Sequence, residues 1–394
     1  MKKRLRILSA DVDAAEKKLC FNLEIDGRPE ILWYKTTDEY AEYFCSELCD
    51  GVVISFIPFA IRNKMDIECD IPITDQLYFK ITKNLIPALK LRNPEIDLQI
   101  IATPICVKQN NNAVATGMSC GIDSFATLYE YSGENCPNEY RINLLTYFNV
   151  GAHHGQIDYD NGHVSHELFL EEMENTKRFC KEYNYPLLVV DTNVAAIQKM
   201  NFVPTHSYRN IGTAVIFQKL IKTYLYSSGI TVDYFKVDIN DAAGYYDILS
   251  LENFSSSNIR IMSSHPASTR IEKTESVAQF PPSYNSLSVC LNSSKNCGLC
   301  HKCERTLATL YALGCLDKFK NSFDIDAFLK NKHKWQAELL AKRNDKYCLE
   351  IRRLFKKNNI KFSVRARIYV IPFFISALME RAVKKIKWEL SKRR

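Results

Sequence analysis

The chain has 394 residues, of which 46% are hydrophobic and 25% charged, and its net charge is +7. This composition is that of a folded protein with a sizeable core and excludes a disordered chain. The N-terminus turns polar before an apolar stretch of signal-peptide length develops, and the longest apolar run, residues 368–379, contains Pro372. We therefore expect a cytoplasmic protein without a membrane-spanning helix.

Residues 1–108 predict an N-terminal α+β accessory domain. Short runs rich in β-branched and aromatic residues predict strands at 19–25, 30–34, 51–57 and 98–102. Amphipathic patterns predict helices at 38–48 and 75–89. Three consecutive asparagines at 110–112 mark a hinge to the next domain.

Residues 109–316 predict the second domain, in which strand and helix patterns alternate. We expect strands at 114–118, 142–148, 186–191 and 231–237, and helices at 124–131, 167–183 and 209–226. This alternation predicts an α/β fold with a doubly wound parallel sheet, whose ligands bind at the carboxyl ends of the strands.

One such strand end carries a hydroxyl- and carboxylate-containing turn that leads into a helix. Its residues are Ser119, Cys120, Gly121, Ile122, Asp123 and Ser124. Unpaired amides and the positive end of the helix dipole suit a pyrophosphate, so we expect ATP here. The same residue types also make ordinary strand-to-helix turns, and the segment is neither a Walker P-loop nor a dinucleotide-binding fingerprint.

Four cysteines are clustered, whereas the other ten of the 14 are scattered singly, as befits a reducing compartment. The cluster consists of Cys290, Cys297, Cys300 and Cys303. Two-residue gaps let successive thiolates converge on one ion, and four thiolates close a tetrahedral zinc shell, so we expect structural Zn²⁺. An iron–sulfur cluster is the competing interpretation, and four unliganded thiols are the third.

Residues 317–394 predict a helical, basic tail. Residues 350–394 carry 14 Lys and Arg against 3 Glu, which leaves a net charge of −4 for residues 1–349. Such a tail can lie on an anionic membrane, bind nucleic acid, or pack an apolar stripe on the protein body. Because its aromatic residues cluster with aliphatic ones, we favour the membrane surface over nucleic acid.

The segment 119–124 resembles the Ser-Gly-Gly-x-Asp-Ser signature of the PP-loop ATP pyrophosphatases, with Cys120 in place of the first glycine. Together with the cysteine cluster, residues 113–315 resemble the 7-cyano-7-deazaguanine synthase branch of that superfamily, whose members act in queuosine biosynthesis. Residues 202–210 resemble its Pro-x-Arg-Asn segment and 244–247 its Gly-Tyr-x-Asp segment. Residues 272–275 and 303–305 resemble its Lys-x-Glu and Cys-x-x-Arg segments.

This resemblance implies an ATP-dependent carbon–nitrogen ligase. A carboxylate would attack the α-phosphate of ATP, pyrophosphate would leave, and ammonia or an amine would displace AMP to form an amide or a nitrile. Asp123 would hold Mg²⁺, with Lys273 and Arg209 as the catalytic cations. Phe148 and Asn149 would hold the adenine, and Asn210 and Asp247 the acceptor substrate; a homodimer is a further expectation.

The same sequence offers four further candidate residues and two rival functions. His153, His154, His206 and His265 are unranked candidates for a base or a substrate contact. The first rival function is transfer-RNA sulfur insertion by a PP-loop enzyme, for which the basic tail would grip RNA. The second rival is a degenerate PP-loop domain that serves as a binding module.

Overall fold

The computed structural model describes residues 2–152, 166–290, 293–371 and 375. They belong to two compact units, Met1–Thr269 and Arg270–Arg394. The candidates His153 and His154 lie outside the described residues.

The first unit contains the strands. In chain order they are β1 Lys3–Asp13, β2 Lys18–Ile25, β3 Arg28–Lys35, β4 Met65–Cys69, β5 Ile73–Thr74, β6 Ile100–Ile101, β7 Pro104–Ile105, β8 Ala113–Gly117, β9 Leu144–Asn149, β10 Leu187–Thr192, β11 Ile221–Ser227 and β12 Arg260–Ser264. Ten of them form one mostly parallel sheet in the order β12-β11-β8-β9-β10-β3-β2-β1-β4-β6. The predicted α/β class is thus confirmed.

The strands from β8 to β12 form an all-parallel block. Counted along the chain within this block, their spatial order is 3-2-1-4-5. The doubly wound nucleotide-binding sheets share this order, and the order reverses beside the first strand of the block. Here that strand is β8, so the switch point lies at the carboxyl ends of β8 and β11.

The central strands are covered on both faces. All six residues of β9 are buried. Phe148 belongs to the large core cluster, whereas its neighbour Tyr147 packs with Phe169 and Met173 in a separate one. Successive side chains of a strand point to opposite faces, so β9 has a packed layer on either side.

Residues 1–108 extend the same sheet. Strand β3 pairs antiparallel with β10, where Asp191 lies opposite Lys35 and Thr192 opposite Tyr34. Strands β3, β2 and β1 continue as an antiparallel meander, and β4 and β6 add parallel strands at the edge. The boundaries at 108 and 316 stay predictions; the two compact units meet between Thr269 and Arg270.

The α-helices of the first unit are α1 Asp38–Ala41, α2 Asp50–Asn63, α3 Asp75–Lys80, α4 Ile86–Arg92, α5 Ile122–Ser132, α6 His166–Glu182, α7 Val194–Gln198, α8 His206–Ile216 and α9 Asp247–Asn253. A π-helical turn, Ile81–Leu85, joins α3 to α4. The second unit contains α10 Arg270–Ala278, α11 His301–Ala312, α12 Ile325–Lys330, α13 Lys332–Ala341 and α14 Lys346–Lys357.

The predicted strand at 51–57 is wrong, since these residues lie inside α2. Every residue from Asp50 to Ile57 is buried, so the segment shows neither the alternation of a strand nor the stripe of a surface helix. Its apolar run reflects a helix that is covered on all sides.

Helix α2 packs on α8 at a point where two glycines meet. A Cβ on Gly51 would lie 2.4 Å from the carbonyl oxygen of Gly212, and a Cβ on Gly212 would lie 2.0 Å from Ser55 Oγ. Only glycine permits this approach. The N-terminal region therefore fixes the position of α8, the helix that carries Arg209 and Asn210.

Two further predictions in the first unit are wrong. The expected helix 209–226 ends at Ile216, and its second half becomes strand β11. The expected strand 231–237 contains instead a single 3₁₀ turn, Val232–Tyr234. The fourth strand of the parallel block is thus β11, whose aromatic and β-branched residues suit a strand better than a helix end.

The described part of the second unit is helical, and none of the described helices is long and apolar enough to cross a membrane. Residues 364–371 form its last described helical segment. Val364, Ile368 and Ile371 are more than half exposed there, while Ala366 and Val370 are buried. Membrane or nucleic-acid contact through the tail stays a prediction.

Candidate active site and cysteine cluster

The loop 119–124 joins the end of β8 to the start of α5. The amide of Met118 donates to Thr146 of β9 over 2.8 Å, which fixes the entry to the loop. Gly121 is the N-cap of α5, and the amide of Phe125 makes the first helical bond to its carbonyl at 3.0 Å. The earlier amides of the helix have no carbonyl one turn before them, so this end can bind an anion.

The two serines of this loop lie next to each other. Ser119 Oγ is 3.5 Å from Ser124 Oγ, and Ser124 Oγ donates to the Gly121 carbonyl over 3.1 Å. Ser119 is exposed, Asp123 is partly exposed in the first turn of α5, and Ser124 is buried. Two hydroxyls and a carboxylate therefore surround the helix N-terminus.

Cys120 explains how a cysteine occupies a position that favours glycine. Its φ is 55°, in the left-handed region. The side chain is fully buried, and its Sγ lies 3.7 Å from Thr176 Oγ1 of α6. Burial raises the pKa of the thiol to about 12, so Cys120 packs as a small hydrophobic residue that is not a nucleophile.

A chain of hydroxyls ties α5 to the two strands on its other side. Thr127 Oγ1 lies 2.6 Å from Ser264 Oγ at the end of β12. Ser227, at the end of β11, donates to the same Thr127 oxygen over 3.0 Å. These contacts hold the helix N-terminus at the carboxyl edge of the sheet.

His206 is the histidine that the tertiary structure brings to the end of β11. Its Nδ1 lies 2.7 Å from the Tyr226 hydroxyl, and the two rings stack with centroids 6.2 Å apart and planes at 9°. Burial lowers the pKa of His206, and the charge of Asp247 raises it. Burial raises the pKa of Tyr226, as do the charges of Asp247 and, more weakly, Asp123. The carboxylates of the signature loop and of Asp247 thus act on the same tyrosine.

Asp247 is the buried carboxylate of this group. It is 2% exposed, and neither oxygen has a hydrogen-bond partner among the described residues. The hydroxyl of its neighbour Ser207 lies beside it. Burial raises the pKa of Asp247, whereas the charge of His206 and the Ser207 hydroxyl lower it. An acceptor without a donor in the interior is costly, and it points to a ligand that supplies the donor.

Arg209 is buried on α8 and contacts protein groups only. Its Nε donates to Gln198 Oε1 over 2.7 Å and its guanidinium nitrogens to the carbonyls of Val150 and Met200 over 3.4 and 3.0 Å. No carboxylate lies within ion-pair distance of it in the part of the chain that is described. Burial lowers its pKa to about 9, so the side chain stays charged at pH 7.

The expected adenine residues lie at the carboxyl end of β9. Phe148 stacks on Tyr224 with ring centroids 6.3 Å apart. Asn149 Nδ2 donates to Asp191 over 2.7 Å, while its Oδ1 lacks a partner within the described ranges. Asn210 donates back to the His206 carbonyl over 2.7 Å. Phe148 and Asn149 thus lie near β8, the strand that precedes the 119–124 loop.

Lys273 belongs to the second unit, where it is buried on α10. His265 follows β12, and its ring meets that of Tyr131 edge-on at 6.0 Å. The structure thus places Asp123, Arg209, Asn210 and Asp247 in one unit and Lys273 in the other.

The cysteine cluster has the geometry of a metal site. The Sγ atoms of all four cysteines lie within 4.8 Å of one another, so they could hold a metal ion such as zinc. Thiolates at about 2.3 Å from a tetrahedral zinc would be roughly 3.8 Å apart, which fits this spacing. Gly298 has a φ of 71°, the left-handed turn that brings Cys297 and Cys300 together.

Backbone amides point at the sulfur atoms of this cluster. Those of Cys300 and Cys303 donate to Cys297 Sγ and Cys300 Sγ over 3.3 and 3.5 Å. Although burial opposes it, donation from backbone amides lowers the pKa of Cys297 to about 7. Such donors stabilise the thiolate, which is the form that binds a metal.

No family model, curated protein or solved structure matches the chain.

We call the group of Asp123, His206, Tyr226 and Asp247 the crevice, and the sequence does not single out His206 or Tyr226 within it. His206 was one of four equal candidates, and Tyr226 fell inside a predicted helix. Only the pairing of β11 with β8 brings Tyr226 to the switch point. A strand prediction for 221–227 would have found it, since alternate residues there, Ile221, Thr223 and Leu225, are buried.

Proposed function

We propose that the first unit binds ATP and Mg²⁺ at the 119–124 loop and adenylates a carboxylate with release of pyrophosphate. An amine then displaces AMP and forms a C–N bond. The observation that carries this proposal is the position of the loop: it follows the first strand of a block ordered 3-2-1-4-5 and opens a helix at the switch point.

The chemistry of the loop suits a leaving pyrophosphate. Negative charge grows on the pyrophosphate as its bond to the α-phosphate breaks, and the amides of α5 and the Ser119 hydroxyl are donors for that charge. Ser124 would join them by giving up its bond to the Gly121 carbonyl. Asp123 supplies a carboxylate oxygen, a ligand type that Mg²⁺ prefers. Mg²⁺, when bound, neutralises the phosphate oxygens.

The contacts of Arg209 support a positioning role. Its guanidinium joins the segment after β9, at Val150, to Met200 after α7. A Cβ on Gly151 would lie only 2.9 Å from Arg209 Nη1, so glycine is needed where this backbone passes the guanidinium. In this way Arg209 shapes the end of β9, where the adenine would lie. The phosphate-binding role of Lys273 stays a prediction from the sequence resemblance.

Zinc in the second unit would be structural. Four thiolates leave no open coordination position, so the ion would stabilise the fold around α11 without taking part in the reaction. The nature of the acceptor, including a deazapurine of the queuosine type, belongs to the same proposal and follows from the sequence resemblance alone.

The test is ATP–pyrophosphate exchange with the full chain and a panel of carboxylic acids. We expect exchange with the wild type and a loss of at least 100-fold in Asp123→Ala, because removing the Mg²⁺ ligand removes charge stabilisation from the transition state. Glu130→Ala, an exposed position on the same helix, is the matched control and should retain exchange.

Exchange in Asp123→Ala at the wild-type rate would contradict the assignment of this loop. Binding is measured separately: MgATP should raise the melting temperature of the wild type and of Glu130→Ala more than that of Asp123→Ala. Equal shifts in all three proteins would also contradict the proposal.

A further inference from the structure

The buried carboxylate of Asp247 lacks the donor that such a group requires. Its two oxygens are sealed from solvent and make no well-formed hydrogen bond in the described ranges, where the Ser207 hydroxyl and His206 lie beside it and no Lys or Arg forms an ion pair with it. Asp50 offers a contrast within the same unit. It is also fully buried, but its oxygens accept from the Thr74 amide, the Thr74 hydroxyl and Gln218. Asp247 is thus suited to accept hydrogen bonds from a ligand.

Three tyrosines lie close enough to Asp247 for its charge to act on their hydroxyls. The charge of Asp247 raises the pKa of Tyr208, Tyr226 and Tyr246, in each case after the larger effect of burial. The rings of Tyr208 and Tyr246 meet edge-on at 6.5 Å. A buried carboxylate attracts a small cation that can also donate hydrogen bonds.

A cavity reaches the same two tyrosines. It has a volume of about 430 Å³ and is lined by Tyr208 and Tyr246 together with Met200 and Pro204, which follow α7. Helix α2 supplies another part of its wall, including Arg62. Tyr246 directly precedes Asp247 in the chain, so a cavity large enough for a small ligand lies next to the residue that carries the carboxylate.

We propose that Asp247 binds an ammonium ion or protonated primary amine, the nitrogen donor of the reaction, and that His206 accepts its proton. This inference rests on the proposed function for the fate of the amine, although binding itself does not depend on it. Tyr226 orients the imidazole as a positioning residue through the 2.7 Å contact with Nδ1.

The imidazole has one nitrogen available for this role. With Nδ1–H donating to the Tyr226 oxygen, Nε2 carries the lone pair. Gly244 faces Nε2: a Cβ there would lie 3.6 Å from it and 3.2 Å from Ile230, so a larger residue would crowd the nitrogen. The titratable groups that face this cluster are Asp247 from α9, Tyr226 from β11, Tyr208 from α8 and Tyr246 just before α9, and Asp123 from α5 acts on it through Tyr226.

The reaction begins with the deprotonation of the ammonium ion. The ammonium nitrogen passes one proton to His206 Nε2 and gains a free lone pair. That lone pair attacks the carbonyl carbon of the acyl-adenylate and forms the C–N bond. The bond from this carbon to the phosphate oxygen breaks, AMP leaves with the electron pair, and the nitrogen loses a second proton to solvent.

Binding can be tested on the full chain without ATP or an acceptor. We expect ammonium chloride to raise the melting temperature of the wild type more than tetramethylammonium chloride at equal ionic strength, because the methylated ion cannot donate hydrogen bonds. Asp247→Asn should lose this difference. Glu252→Gln, an exposed residue of the same helix, should keep it.

A wild type without an ammonium-specific shift, or an equal shift in Asp247→Asn, would overturn the site. A rubidium ion, which is close to ammonium in size, gives a second readout. Crystals soaked in rubidium chloride should show an anomalous peak beside Asp247 in the wild type and in Glu252→Gln but not in Asp247→Asn. A peak only elsewhere would also overturn the site.

The role of His206 has its own readout. His206→Gln should keep the ammonium-specific shift but lower the rate of amide formation at least tenfold near pH 7, with less loss at high pH, where free amine is plentiful. A pH-independent loss would overturn the role of His206 as proton acceptor. Failure of exchange in the wild type would count against the proposed function alone, since the ammonium shift is measured without ATP.

Discussion

The cysteine cluster and the crevice at the end of β8 are built in opposite ways. The four cysteines lie within 14 residues of sequence, and a turn at Gly298 is enough to bring their sulfur atoms within 4.8 Å of one another. The crevice gathers Asp123, His206, Tyr226 and Asp247 from three helices and a strand. A local site is thus visible in its spacing, whereas a site of distant residues depends on the whole sheet.

The two regions also differ in what their polar groups lack. At the cysteine cluster, backbone amides donate to two of the sulfur atoms. In the crevice, Arg209 donates to three protein oxygens, while the Asp247 oxygens make no well-formed hydrogen bond among the described residues. A buried charged group whose hydrogen bonds are made by the protein therefore serves the fold, whereas one without such bonds is a candidate for binding a ligand.

The largest effect should follow loss of the metal ligands. Cys300→Ser, or treatment with a strong chelator, should remove bound zinc and destabilise the second unit, because structural zinc contributes on the order of 10 kcal/mol in small peptides. Metal content by mass spectrometry and thermal unfolding by circular dichroism measure both effects.

Cys315→Ser is the control for this experiment, since Cys315 lies outside the cluster. It should keep one zinc per chain. If the purified protein is brown and contains iron and sulfide, the cluster holds an iron–sulfur centre instead of zinc. Unchanged metal content in Cys300→Ser would contradict a metal site made of the four cysteines.

The second-largest loss of stability should follow a change at the contact between α2 and α8, through which residues 1–108 support the crevice. Gly212→Ala places a methyl group 2.5 Å from the Gly51 carbonyl oxygen, so α2 and α8 must separate. We expect a loss of about 3 kcal/mol in the free energy of unfolding, measured by urea denaturation.

Gly133→Ala is the matched change, because nothing lies within 4 Å of a Cβ there. It should alter the free energy of unfolding by less than about 0.5 kcal/mol. If Gly212→Ala were equally mild, the crevice would not depend on the packing of α2.

The smallest effect is expected at Cys120. Glycine would relieve the left-handed φ of 55° but would lose the packing of the buried thiol, so Cys120→Gly should change the free energy of unfolding by less than about 1 kcal/mol. Exchange activity should be retained or raised. Cys120→Val should unfold at a clearly lower urea concentration, because β-branched residues avoid this conformation. Equal stability of Cys120→Gly and Cys120→Val would contradict the inference that the left-handed backbone at position 120 is strained in a β-branched residue.

Periodicity predicted most of the parallel block, because strands such as β8, β9 and β10 are short apolar runs next to amphipathic helices. It failed at α2, where burial on all sides removes the periodic signal, and at β11, whose residues were assigned to the second half of a predicted helix. The candidate loop at 119–124 was visible in the sequence, but Tyr226 was not, because its role depends on which strand pairs with β8.

The sequence by itself determined the cysteine cluster and the strand-loop-helix unit at 119–124, because each is set by residues that are close along the chain. The tertiary structure decided that α2 supports α8, that Cys120 points into the core, and that the charge of Asp247 acts on His206. These outcomes depend on strand order and helix packing, which bring together residues that are tens to more than a hundred positions apart in the chain.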